Sequence, residues 1–89
     1  MPVQIELTLI VRQGCHLCEA AEAELSRVMS RFAAENPETE YTVDLVEIDS
    51  NPDFAKFSDE IPVLLINGKQ VAFWRIDAER VFGQLMELV

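Results

Sequence analysis

The sequence predicts an α/β fold, a three-layer sandwich in the order β-α-β-α-β-β-α around a four-stranded mixed sheet. Three observations carry that expectation. Apolar residues recur at period two before Gly14 and at three- and four-residue intervals after it, so a strand leads directly into a long helix. An Asn67-Gly68 pair separates two short apolar runs, which signals a tight hairpin. A last amphipathic stretch then closes the chain. At 89 residues the chain is expected to form a single domain, 1–89. Its core is small, so nearly every apolar position must contribute.

From Val3 to Arg12 the odd positions Val3, Ile5, Leu7, Leu9 and Val11 are apolar, and Gln4, Glu6, Thr8 and Arg12 alternate with them. Ile10 alone breaks the pattern. The helix that starts at Cys15 has an apolar stripe of Leu17, Ala21, Leu25, Val28, Met29 and Phe32, and it runs to about Glu35. Asn36-Pro37 ends it, because proline disfavours helical geometry in the residue before it. A second strand is expected from Tyr41 to Ile48, with Tyr41, Val43 and Leu45 alternating against Thr42 and Asp44. Strand, helix and strand in this order make a right-handed crossover with parallel strands. Asp49-Ser50-Asn51-Pro52 opens a short helical turn, which Phe54 and Phe57 dock onto the sheet. Pro62 to Ile66 is an uninterrupted apolar run of the buried type. After the Asn67-Gly68 turn, Gln70 to Arg75 return antiparallel. Asp77 is a good N-cap for the closing helix, whose stripe is Ala78, Val81, Phe82, Leu85, Leu88 and Val89.

Composition removes several classes of partner. Seven Lys and Arg face sixteen Asp and Glu, a net charge of −9. A surface this acidic repels phosphate backbones and anionic headgroups, so neither nucleic acid nor a membrane surface is an expected partner. The N-terminus, MPVQIELTLIVRQ, has no basic segment and no long apolar run, so no signal peptide or membrane span is expected and the location is read as cytoplasmic. In that reducing compartment two cysteines are not a stabilising framework. A bridge between residues three apart closes almost no loop and constrains the unfolded chain little. A close pair is better explained by reactivity or by metal binding.

Cys15 and Cys18 lie between the end of a strand and the start of a helix. Residues three apart on a helix share a face. In the first turn the backbone N–H groups lack intrahelical partners and can donate to a thiolate. A free thiol, with a pKa of about 8.5, is only a few per cent ionised at neutral pH. Bringing it to about 7 needs roughly 2 kcal/mol of differential stabilisation, and the helix dipole supplies about 0.3–1 kcal/mol. Another donor must contribute: the Cys18 S–H, with His16 and Arg12 as candidate cationic helpers. Cys15 is then the expected nucleophile and Cys18, the more buried, resolves the mixed disulfide. Tetrahedral zinc needs four ligands, and beside the two cysteines the chain offers only His16, so no resident metal is expected.

The Arg12-Gln13-Gly14-Cys15-His16-Leu17-Cys18 segment after the first strand, together with Ile61-Pro62 before the Asn67-Gly68 hairpin, resembles the thioredoxin superfamily. Within it, the chain is most similar to small bacterial glutaredoxin-like proteins. The resemblance spans essentially the whole element order. It implies a thioredoxin-like fold and a dithiol–disulfide oxidoreductase acting on protein or low-molecular-weight disulfides. No tightly bound cofactor is implied, and glutathione is a candidate co-substrate. It also implies a cis bond at Pro62 beside the cysteines, with the Ile61 N–H and C=O free to pair with a bound peptide or glutathione. Arg12 stands where glutaredoxins carry a basic residue for a glutathione carboxylate; a solvated strand end explains it equally well. The family's Gly-Gly pair after the hairpin is absent, leaving Asp77 as the one glutathione-contact remnant, a residue that helix capping also explains. His16-Leu17 replaces the usual Pro-Tyr, and the Trp-Cys-Gly-Pro-Cys of thioredoxins is missing too. The reductant is therefore either glutathione or a flavoprotein reductase.

Phe73 and Trp74 are expected on opposite faces of the return strand, and a monomer is expected. Two other functions fit the same fold: an iron–sulfur or metal-binding module with Cys15 as ligand, and a non-catalytic adaptor.

Overall fold

The computed structural model describes residues 4–89, so Val3, the expected start of the first strand, lies outside the described residues. The observed order is β1 (Gln4–Val11), α1 (His16–Glu35), β2 (Glu40–Glu47), two 3-10 turns (Ile48–Ser50 and Pro52–Phe57), β3 (Val63–Ile66), β4 (Lys69–Phe73) and α2 (Ala78–Met86). The strands form one mixed sheet in the order β2-β1-β3-β4. β1 runs parallel to β2 and antiparallel to β3, and β3 runs antiparallel to β4.

The two central strands explain the two unbroken apolar runs. β3 is buried along its whole length, and Ile10, the residue that breaks the alternation of β1, is fully buried opposite Val63. Helices α1 and α2 pack on each other and so share one face of the sheet: the Arg31 guanidinium lies 3.8 Å from the Phe82 ring centroid and 3.1 Å from Glu79. The layering is therefore asymmetric. Among the described residues only the 3-10 turns remain to cover the opposite face, with Phe57 buried and Phe54 half-buried at a ring separation of 6.2 Å.

The stripe of α1 starts at Cys18, not at Leu17. Cys18, Ala21, Leu25, Val28, Met29 and Phe32 are buried, whereas Leu17 is 48% exposed. One helical residue is about 100° of rotation, so burying Cys18 turns its neighbour outward. Asn36 closes the helix, its backbone N–H donating to the Phe32 carbonyl at 2.9 Å.

β2 ends at Glu47, and Ile48 begins the following turn. Of its three alternating residues only Tyr41 is half-buried; Val43 and Leu45 are exposed. β2 is an edge strand, and α1 leaves a groove between itself and β2 with Leu25, Met29 and Leu45 in its walls. At the hairpin, Asn67 and Gly68 both take positive φ, 51° and 82°, as a type I′ turn requires. Asn67 Oδ1 accepts from the Glu6 N–H at 2.9 Å and pins the turn to β1. A register shift between Leu64 and Leu65 leaves Val71 as an extra residue in β4. Asp77 caps α2 as expected, Oδ1 accepting from the Arg80 N–H at 3.2 Å. That helix stops at Met86, so Leu88 and Val89 lie beyond its stripe and are exposed.

Candidate active site

β1 delivers the chain to one end of the sheet, where Gly14 turns it with φ 70°, a conformation that glycine adopts at no steric cost. Cys15 follows as the N-cap of α1, with extended geometry (φ −103°, ψ 109°). Its sulfur takes the place of a capping oxygen: the Cys18 N–H donates to Cys15 Sγ at 3.1 Å. Cys15 and Cys18 form a disulfide, with their Cα atoms 5.2 Å apart. Cys15 is half-buried at the edge of the core, and Cys18 is inside it at 4% exposure. The outer sulfur is thus the reachable one, and a first-turn helix N–H with no intrahelical partner already donates to it.

The other expected site residues divide into two groups. Pro62 follows a cis bond from Ile61, and both are buried. Val63 is paired with Ile10 one residue before the end of β1, so Pro62 lies at the same end of the sheet as the cysteine pair. Among the described residues, no backbone hydrogen bond outside the strands and helices involves Ile61. Arg12, His16 and Asp77 hold more open positions. Arg12 Nη2 donates to the Ser58 carbonyl at 3.4 Å, linking the end of β1 to the second turn. The His16 side chain is 98% exposed, with Nδ1 3.7 Å from Glu19 Oε2. Asp77 is occupied as the α2 cap and also lines the groove between β4 and α2. Among the described residues no group of three or more His, Cys, Asp or Glu could hold a metal ion. No helix there is long and apolar enough to cross a membrane.

Trp74 is a site feature that the alternation of β4 hides. Phe73 and Trp74 do not divide between the two faces: they are 46% and 54% exposed, with their rings edge-on at 5.0 Å. The cause is the backbone of Trp74, whose φ of 65° ends the strand. For a bulky residue that conformation costs about 1–3 kcal/mol, and the surroundings offset it. The Trp74 N–H donates to the Pro62 carbonyl at 2.8 Å and to the Glu60 carbonyl at 3.2 Å, and indole Nε1 donates to the Asp59 carbonyl at 3.1 Å. One residue therefore clamps the 59–62 loop that carries the cis-proline. Leu17 is the second residue that sequence reasoning placed wrongly. With Ala21, Trp74 and Ile76 it lines a groove of about 330 Å³, whose walls also include Glu24 and Arg75.

This arrangement has counterparts in known proteins. A solved X. campestris protein matches at TM-score 0.68 and 26% identity, over 91% of this chain and 96% of its own. A thioredoxin mutant from Halobacterium salinarum matches at TM-score 0.64 over 97% of this chain and 75% of its own, and at 15% identity that likeness is one of fold. A glutaredoxin-like protein of Dictyostelium discoideum is 26% identical over 84 residues, 91% of this chain and 75% of its own length. The fold is thioredoxin-like. The family model described as glutaredoxin-like domain (DUF836) matches residues 6–86, and the chain belongs to that family.

Proposed function

We propose that this protein is a dithiol–disulfide oxidoreductase in which Cys15 is the nucleophile and Cys18 the resolving thiol. The observation that carries the reading is the pairing of a reachable Cys15 sulfur, which accepts the Cys18 N–H at 3.1 Å, with a buried Cys18 in disulfide contact. In the reduced protein the Cys15 thiolate attacks one sulfur of a substrate disulfide. A Cys15–substrate bond forms as the substrate's S–S bond breaks, and the departing thiolate takes up a proton. Cys18 then loses its proton and attacks Cys15 Sγ, releasing the second substrate thiol and leaving the Cys15–Cys18 disulfide. Two electrons have passed to the substrate, with one proton from Cys18 and one from solvent.

Strand-like pairing with the substrate beside Pro62 is assigned to the Ile61 N–H and C=O. Arg12 and Asp77 are the groups available to a glutathione carboxylate and amino group. Glutathione or a flavoprotein reductase returns the pair to the dithiol, in a reducing cytoplasm. Cys15→Ser is expected to abolish disulfide reduction. Cys18→Ser is expected to stall at a mixed disulfide on Cys15, visible as an adduct by mass spectrometry. Turnover retained by Cys15→Ser overturns the reading and leaves an adaptor of the same fold.

A further inference from the structure

We infer that the outer edge of β2, with the groove between β2 and α1, is a docking site for an extended basic segment of a partner protein, which adds a fifth strand to the sheet. The inference stands apart from the exchange chemistry proposed above. β2 is eight residues long, pairs with β1 without a break in register and, among the described residues, has no other strand beside it. Its outward N–H and C=O groups therefore form the open row that a further strand pairs with. The other edge of the sheet is guarded: β4 has five residues, carries Lys69, is interrupted by the bulge at Val71 and stops at the positive φ of Trp74. Lysines, bulges and short length are the usual protections of an edge, and β2 has none of them. The face of β2 toward α1 is apolar as well as open. Val43 and Leu45 are 44% and 54% exposed, and with Tyr41, Leu25 and Met29 they line a groove of about 390 Å³. Every second side chain of an added strand would lie in that groove, beside Val43 and Leu45.

Charge selects the occupant of this edge. Between Arg31 and Lys56 the chain has seven acidic residues and no basic one, and β2 lies in the middle of that stretch. Glu22 is the one charged residue in the walls of the groove, and Asp44 is exposed on the opposite face of β2. Among the described residues neither has an ion-pair partner. No group of three or more acids there could hold a metal ion, so the charge is spread along the edge and matches lysines or arginines spaced along a strand. A segment alternating apolar and basic residues suits both faces, its apolar side chains in the groove and its cations against Asp44. A second copy of β2 would instead set Glu40, Asp44 and Glu47 against the same three acids, and like charges opposed across strands are destabilising.

The test follows, by fluorescence anisotropy, the binding of the full chain to a labelled peptide of alternating lysine and valine as long as β2. A lysine–serine peptide is expected to bind about tenfold more weakly, and a glutamate–valine peptide not to bind. Leu45→Ser and Asp44→Lys should each weaken the lysine–valine peptide about fivefold, through lost apolar burial and through a charge reversed across the strands. Leu88→Ser, at an exposed site beyond α2, should leave binding unchanged. Main-chain pairing is read from the probe. A strand presents the N–H groups of alternate residues to one neighbour, so N-methylation of all the valines or of all the lysines should abolish binding in one case and spare it in the other. Equal binding of the lysine–valine peptide and either control peptide, equal binding of the two methylated peptides, or effects of Leu45→Ser and Asp44→Lys no larger than that of Leu88→Ser would overturn the inference. Self-association in sedimentation that Leu45→Ser abolishes would also overturn it, by giving the edge to a second copy. Cys15→Ser is expected to bind the peptide as the native chain does, so failure of the exchange reading leaves this result standing.

Discussion

Replacing Asp77 separates two roles that the sequence leaves superimposed. In the structure Oδ1 accepts from the Arg80 N–H at 3.2 Å, at the long end of the N–H···O range. Loss of an N-cap typically costs about 1 kcal/mol; given that distance and an exposed side chain, Asp77→Ala should cost about 0.5–1 kcal/mol. In a domain of this size that corresponds to a fall in Tm of about 3–6 °C, readable by circular dichroism or calorimetry. Asn caps as well as Asp, so Asp77→Asn should melt close to the native protein. Its rate with glutathione then isolates the charge: a loss in Asp77→Asn without a loss of stability assigns the carboxylate to glutathione. The capping argument is refuted if Asp77→Ala melts with the native protein, or if Asp77→Asn is as unstable as Asp77→Ala.

Three further changes have expected outcomes. Phe32→Ala removes a side chain with no solvent exposure from the C-terminal end of the α1 stripe and should cost about 3–5 kcal/mol, enough to shift the urea midpoint far down or abolish cooperative unfolding. Gly14→Ala meets no atom within 4 Å but must hold φ 70°, so it should lose about 1–2 kcal/mol from backbone strain alone in denaturant titration. Gly83→Ala, inside α2 with equally open space and an ordinary helical φ, should instead gain about 0.5–1 kcal/mol in the same assay. Opposite signs at two equally roomy glycines are the diagnostic result.

How legible each part was depended on where its cause lay. Local pattern was enough for β1, α1, the Asn67-Gly68 turn and the Asp77 cap, because period, turn chemistry and capping act between near neighbours. Position in the sheet was not legible: β2 carries the same alternation as β1, yet Val43 and Leu45 are exposed because β2 is an edge strand that α1 does not cover. Leu17 was misplaced because two adjacent apolar residues, Leu17 and Cys18, compete for one stripe, and the tertiary contact of the cysteine decided between them. Trp74 escaped because its positive φ is imposed by hydrogen bonds to Asp59, Glu60 and Pro62, residues more than ten positions earlier. The cysteine pair itself was readable, since both its spacing and its place between strand and helix are local.

Residue 15 also has a scaffolding duty: its sulfur holds the first turn of α1 in the manner of a capping hydroxyl. Serine is among the better residues for that duty, so exchanging the sulfur for an oxygen should keep the long helix anchored while disarming the chemistry. An inert protein obtained this way remains a faithful mould of the active one. Binding surfaces can therefore be mapped on it without turnover, and a silent Cys15→Ser protein cannot be dismissed as an unfolded one.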